Sequence, residues 1–194
     1  MCFSFQNLLK SAACVFLRDL MSLTLSAMSS DDLVVFLKKT IPYYAQMMLD
    51  VGEYNTYEAA HHQSYTEIMS YFSAGQVPAS ELLYNMVETD TDETVGSLWL
   101  SMIKRQQEPL IFISYITVEE NYRRQGYARK VLSQFEQLLR PHGYNDFELY
   151  VFVNNIGAIK LYERTGYRIV NKKPLGQAKH ITRFVMKKKV SENE

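Results

Sequence analysis

Tyr122-Arg123-Arg124-Gln125-Gly126-Tyr127-Ala128-Arg129-Lys130 is a short basic turn with one glycine. Before it, Leu110 to Val118 reads as a buried strand. After it, Ala128 to Arg140 reads as a helix that puts Ala128, Val131, Leu132, Phe135, Leu138 and Leu139 on one apolar face. A strand that hands a tight turn to a helix N-terminus gathers free backbone N–H groups and the positive end of the helix dipole at one point. Phosphate or pyrophosphate suits that point, and the flanking arginines suit the same anion.

Upstream, Met21 to Met28 alternates loosely and is expected as a first strand. Ser29-Ser30-Asp31-Asp32 reads as a cap with acids in the first turn of a helix, which Pro42 is expected to kink or divide and Gly52 to end. Asn55 with Glu58 reads as the capping pair of a second helix running to about Ala74, with a break over Gly75 to Pro78. Strands follow at Leu82–Val87 and Val95–Ile103, joined by an acidic turn from Glu88 to Glu93. That turn lacks the glycine offset and distal bidentate Glu of a calcium loop, so it reads as a solvated hairpin. Lys104 to Pro109 reads as a polar connection.

Downstream, Pro141-His142-Gly143 stops the helix and Phe147 to Val153 alternates as a strand. Asn154-Asn155 opens a short helix with Ala158, Leu161 and Tyr162 inward, closed by Gly166. Tyr167–Val170 and Ile181–Met186 read as the last strands. The order is β-α-α-β-β-β-α-β-α-β-β, an α/β (α+β) chain for which a mixed sheet with helices on both faces is the economical solution.

At 194 residues the chain suits one domain, or one domain with an appendage. Lys+Arg 21 against Asp+Glu 21 leaves no net charge, so nothing in bulk points to nucleic acid or an anionic membrane surface. No apolar run approaches the ~18 residues of a membrane span. Cys2 and Cys14 stand outside any catalytic or metal-ligand constellation, which fits a reducing cytoplasm. Ser11-Ala12-Ala13-Cys14 loosely resembles a lipoprotein cleavage site, but what precedes it lacks a basic stretch and is broken by Gln6, Asn7 and Lys10. Export is not expected. Residues 1–20 read as an N-terminal arm, or as sequence ahead of a start at Met21 or Met28; 21–190 read as the domain and 191–194 as a polar tail.

Two motifs in this order make the chain resemble the GNAT superfamily of acyl-CoA-dependent N-acyltransferases. Arg123-x-x-Gly126-x-Ala128 fits that family's pyrophosphate loop. Asn155-x-x-Ala158-Ile159-x-Leu161-Tyr162-Glu163-x-x-Gly166-Tyr167 fits its Asn-led helix. The resemblance covers about residues 22 to 190 and implies a mostly antiparallel sheet.

It also implies a site. Backbone amides over Arg124, Gln125, Gly126, Tyr127, Ala128 and Arg129 would hold the acyl-CoA pyrophosphate, with Arg123 and Arg124 beside it. Gly126 would permit close backbone approach. The fourth and fifth strands would splay around Val118 and Val153 to admit pantetheine, and the Val118 N–H would polarise the thioester carbonyl. Asn155 would bond the pantetheine arm. Tyr162 would stand by the sulfur as general acid. Tyrosine near 10 donating to a thiolate near 8.5 is uphill, so a hydrogen bond that stabilises the sulfur is the firmer expectation. Read locally, Asn155 is also a helix cap and Tyr162 a core residue.

The fourth strand carries no Asp or Glu where many members of the family place a base. Glu119 and Glu120 head the turn; Tyr115, Ser114 or Thr117 through water, or Glu88 from a neighbouring strand, stay open. Tyr43, Tyr44, Tyr54, Tyr57, Tyr65 and Tyr71 make the acceptor side aromatic; His61-His62 reads as surface and Trp99 as core. The resemblance implies acetyl transfer from acetyl-CoA, with no metal, to a primary amine by direct attack in a ternary complex. The amine is a small molecule or a protein or peptide amine, and the enzyme a monomer or homodimer. The rival is a non-catalytic acyl-CoA sensor or interaction module.

Overall fold

The computed structural model describes residues 23–72 and 77–190. Residues 1–22, 73–76 and 191–194 lie outside it, and with them the N-terminal arm, both cysteines, the polar tail, Met21, Ala74 and Gly75. Among the described residues the elements run in the expected order, seven strands and four α-helices, mostly antiparallel in pairing. No helix among them is long and apolar enough to cross a membrane. The described residues form two compact units: residues 23–29, 79–147 and 189–190, and residues 30–72, 77–78 and 148–188.

The first unit holds β1 (Leu23–Ala27), β2 (Glu81–Glu88), β3 (Glu93–Arg105) and β4 (Glu108–Val118), paired antiparallel in sequence. The β3–β4 connection is much tighter than the polar stretch Lys104–Pro109 suggests. Strand pairing continues to Arg105↔Glu108, and Gln106 and Gln107 alone turn the chain at φ +52° and +71°. Those are type I′ hairpin angles, which usually advertise themselves as Asn-Gly. Gly96 lets β3 press against β4, since a Cβ there would stand 2.2 Å from the Thr117 carbonyl oxygen. Tyr127–Leu139 forms α3, whose Val131, Leu132, Phe135 and Leu139 are buried as the apolar stripe requires. Phe135 meets Phe147 at 5.8 Å between ring centres.

The second unit begins with α1 (Ser30–Asp50), which Pro42 does not divide. Proline there removes one helical hydrogen bond. The helix persists because Phe36, Thr40 and Ile41 before it, and Ala45 and Met48 after it, are all buried. Ser64 Oγ also donates to the Ile41 carbonyl at 2.8 Å, tying α2 (Tyr57–Met69) to α1 beside the proline. Gly52 ends α1 as expected: its N–H reaches Leu49 O at 2.9 Å and that of Glu53 reaches Met48 O at 2.9 Å, a Schellman closure. The cap of α2 is Thr56, which accepts from Ala59 N–H at 3.2 Å. Asn55 instead donates to Gln177. The same unit holds most of β5 (Asp146–Phe152), α4 (Ile156–Arg164), and the antiparallel pair β6 (Arg168–Lys173) and β7 (Arg183–Lys189). Ala45, Met48, Val51, Ala60 and Phe152 form its core, with Tyr44 and Tyr54 packed on it.

Candidate active site

In the first unit the strand-turn-helix forms as the sequence expects. Pairing across β3 and β4 slips between Trp99↔Tyr115 and Leu100↔Ile113, leaving Ser114 as the extra residue of a β-bulge. Beyond it, Glu119 N–H bonds Val95 O at 2.8 Å. Alternation along the strand then turns the Val118 and Ile116 N–H groups away from β3. The Val118 amide thus lies on the side of β4 away from β3, and Ile116, which sequence reasoning did not single out, shares that side. The bulge that sets this parity leaves no mark in the sequence.

A 3-10 turn over Glu120–Tyr122 carries the chain to the loop. Arg123 Nε donates to Val118 O at 3.0 Å and so folds the loop back on the strand end. Arg123, Arg124, Gln125 and Gly126 are exposed. Arg124 at φ +64° and Gly126 at φ +89° both lie in the left-handed region. A Cβ at Gly126 would meet nothing nearer than Lys130 Cε at 3.9 Å, so the protein itself demands glycine there for its φ. Gly126 is the N-cap of α3, with no side-chain cap bond and no acid in the first turn. The first helical bond is Lys130 N–H to Gly126 O at 2.9 Å. The N–H groups of Tyr127, Ala128 and Arg129 therefore have no intrahelical acceptor.

The loop is anchored from below. Glu88 and Glu93 face each other across the ends of β2 and β3, like charges that repel. A tyrosine hydroxyl answers each: Tyr127 donates to Glu88, and Tyr122 to Glu93. The two rings meet edge-on at 6.3 Å. The hydrogen bond to Glu88 holds the Tyr127 proton, pushing its pKa up to about 12, with burial helping. Glu88, one of the residues considered as base, is thus committed to positioning α3.

In the second unit Asn155 caps α4, its Oδ1 accepting from Ala158 N–H at 3.1 Å. Ile159 and Tyr162 are its buried side chains. Tyr162 is 7% exposed, and its ring lies 5.7 Å from that of Tyr167. Among the described residues nothing pairs with its hydroxyl. Burial pushes its pKa above the ordinary tyrosine value, so the proton stays on the oxygen.

Sequence reasoning missed the clamp in this unit. Glu53, just past α1, takes Arg183 of β7 in a buried two-point pair at 2.7 and 2.6 Å and accepts from Thr182 Oγ1 at 2.8 Å. Arg183 also donates to Tyr44 Oη at 2.5 Å and lies over the Phe152 ring. Tyr44 in turn donates to Glu67 at 3.0 Å. Arg183 shares the strand face of Val185, and a charge at an inward position was the available signal. Of the six aromatic residues flagged on the acceptor side, Tyr43, Tyr57, Tyr65 and Tyr71 are exposed. Trp99 is core, 3% exposed, with its indole N–H on Glu81.

Residues 46–167 match the family model described as Acetyltransferase (GNAT) family. Over 150 residues the chain is 27% identical to the uncharacterized N-acetyltransferase YycN of Bacillus subtilis, covering 76% of this chain and 94% of that protein. It is 25% identical to YdgE, a second uncharacterized N-acetyltransferase of that organism, over 78% of this chain and 95% of that one. The crystal structure of YycN superposes with a TM-score of 0.70 at 28% identity, over 79% of this chain and 98% of that one. The PaiA N-acetyltransferase of Thermoplasma acidophilum, in complex with coenzyme A, shares the fold at a TM-score of 0.61 and 14% identity, over 87% and 99%. The chain is an enzyme of acetyl transfer and belongs to the acetyltransferase (GNAT) family.

Proposed function

We propose that the chain transfers acetyl from acetyl-CoA to a primary amine by direct attack in a ternary complex. The observation that carries this reading is the start of α3: uncapped, free of acid, entered through two left-handed residues and flanked by exposed arginines. Such an end binds anions through backbone N–H groups and dipole together. Bound coenzyme A in PaiA, a protein of the same fold, supports the identity of the anion. In this reading Val118 N–H, with Arg123, Arg124, Gln125, Gly126, Tyr127, Ala128 and Arg129, holds the donor, and Asn155 turns its Nδ2–H to a pantetheine carbonyl.

Tyr162 is the group for the departing sulfur. Its raised pKa keeps it a donor and makes complete proton transfer less favourable still, so its part is a hydrogen bond to developing negative charge. The two cysteines belong to neither motif, and a covalent enzyme intermediate has no role. We assign the activity to residues 21–190, with 1–20 and 191–194 as flanking segments, and place it in the cytoplasm.

The test is thiol release from acetyl-CoA across amines, peptides and polyamines, alongside calorimetric titration with coenzyme A. Release with at least one amine is expected. Tight binding with no release for any acceptor sinks the reading. Tyr162→Phe should lower kcat about tenfold, the worth of one hydrogen bond to a charged group, while leaving acetyl-CoA binding within twofold. An unchanged kcat removes Tyr162 from the mechanism.

A further inference from the structure

The acid of β4 is Glu108, exposed at the hairpin opposite Arg105, and none follows it from Leu110 to Val118. The attacking nitrogen is left without an evident proton acceptor on that strand, yet a carboxylate lies two strands away. Glu81 opens β2 at 7% exposure, directly opposite Ser101 of β3 in the register. Its Oε2 accepts from Ser101 Oγ at 2.6 Å and from the Trp99 indole N–H at 2.6 Å; Oε1 accepts from Ser80 Oγ at 3.1 Å. Ser101, 1% exposed, also meets Ser114 Oγ of β4 at 2.7 Å.

The carboxylate fixes the direction of this chain. Ser101 has one proton and spends it on Glu81, so the short contact to Ser114 can only be Ser114 donating to Ser101. Ser114 is then left with lone pairs and no further partner among the described residues. It is half-buried where Ser101 and Glu81 are closed off. It is also the bulge residue, two positions and about 7 Å along the strand before Ile116, whose N–H turns away from β3. A bulge that re-aims one side chain is a common device beside active sites.

We propose, on the acyl-transfer reading above, that Glu81 takes up the proton of the attacking amine through the hydroxyls of Ser114 and Ser101. The neutral amine attacks the thioester carbon. As the N–C bond forms, the nitrogen gains positive charge and its proton becomes acidic. That proton passes to Ser114 Oγ, the proton of Ser114 to Ser101 Oγ, and the proton of Ser101 to Glu81 Oε2. The C–S bond breaks with its electron pair on sulfur, which leaves as coenzyme A thiolate and collects a proton from solvent. Glu81 returns its proton outward along the same hydroxyls once the amide has left.

Ser114→Ala removes the outer hydroxyl and its bond to Ser101, and leaves the bonds from Ser101 and Trp99 to Glu81 in place. With an amine that the wild type acetylates, its kcat should fall about a hundredfold, the usual weight of a general base. KM for acetyl-CoA should hold, and the melting temperature should fall by no more than the loss of one hydrogen bond brings. Ser114→Thr, which keeps the hydroxyl, should restore kcat to within about threefold. Glu81→Gln should lose as much as Ser114→Ala, and the double variant no more than either, as members of one relay do. If Glu81→Gln does not fold, the Ala and Thr pair at Ser114 decides alone. A Ser114→Ala enzyme with wild-type kcat overturns the relay, and so does a loss that Thr fails to rescue. A wild type that releases no thiol with any amine brings down both readings, whereas turnover that survives Ser114→Ala brings down the relay only.

Discussion

Helices α3 and α4 begin in opposite ways. α4 starts as a self-sufficient helix does, Asn155 supplying an oxygen to Ala158 N–H. α3 starts with a glycine at φ +89°, no side-chain cap and no acid in its first turn. A side-chain cap is worth about 1 kcal/mol, and α3 forgoes it. Its stability comes instead from four fully buried apolar side chains and from Tyr127, its first residue, moored to Glu88. The contrast teaches that an unsatisfied helix end can be held in place by packing from behind. One helix spends a terminal donor on its own cap; the other leaves its first three without an intrahelical acceptor.

The strongest way to break the contrast is to give α3 what it lacks. Arg129 is the third helical residue and is exposed. Arg129→Glu puts an acid where free helices welcome one, so folding should hold or gain a few tenths of a kcal/mol. The same carboxylate competes with the donor phosphates and removes a cation, so coenzyme A affinity should fall about a hundredfold, roughly 2.7 kcal/mol. Calorimetry and thermal melts read the two effects separately. Unchanged affinity would mean that the α3 terminus is not the phosphate seat.

The mooring is the next target. Tyr127→Phe leaves the Glu88 carboxylate buried without its donor and should cost about 1–3 kcal/mol of stability. Its pH signature has a definite sign. The folded-state pKa of Tyr127, raised to about 12, lies above the ordinary value near 10. The stability it contributes is therefore complete below pH 10 and is lost as pH rises toward 12. The gap in melting temperature between wild type and Tyr127→Phe should be constant from pH 7 to 9 and narrow above pH 10. A gap that does not move with pH would place the cost in packing, not in the hydroxyl.

Both helix starts were legible in the sequence because their signals are local: one glycine between a strand and a periodic helix, one asparagine before Ala158. What escaped reading depends on partners far along the chain. Pro42 does not divide α1 because the packing on either side of it outweighs one missing bond. The turn at Gln106-Gln107 has the angles of Asn-Gly without the residues. Glu53 and Arg183 pair across 130 positions, and nothing near Glu53 foretells it. The Glu81–Ser101–Ser114 chain needs the strand register and a bulge, neither of which composition or periodicity encodes. The candidate site was readable where local backbone conformation forms it, and unreadable where side chains meet across strands.

The smallest expected effect sharpens the comparison from the α4 side. Asn155 caps α4 with Oδ1, and on the proposed reading the same side chain would offer Nδ2 to the ligand. Asn155→Asp keeps the oxygen and adds a charge that suits a helix N-terminus, so melting should be unchanged or slightly higher. It removes the only N–H donor of that side chain, and coenzyme A affinity should drop about three- to tenfold, a single hydrogen bond. Asn155→Ala loses both roles and should add about 1 kcal/mol of destabilisation to the same loss of affinity. If Asp binds as wild type does and only Ala is impaired, Asn155 is a cap alone, and α4 contributes Tyr162 but no grip on the donor.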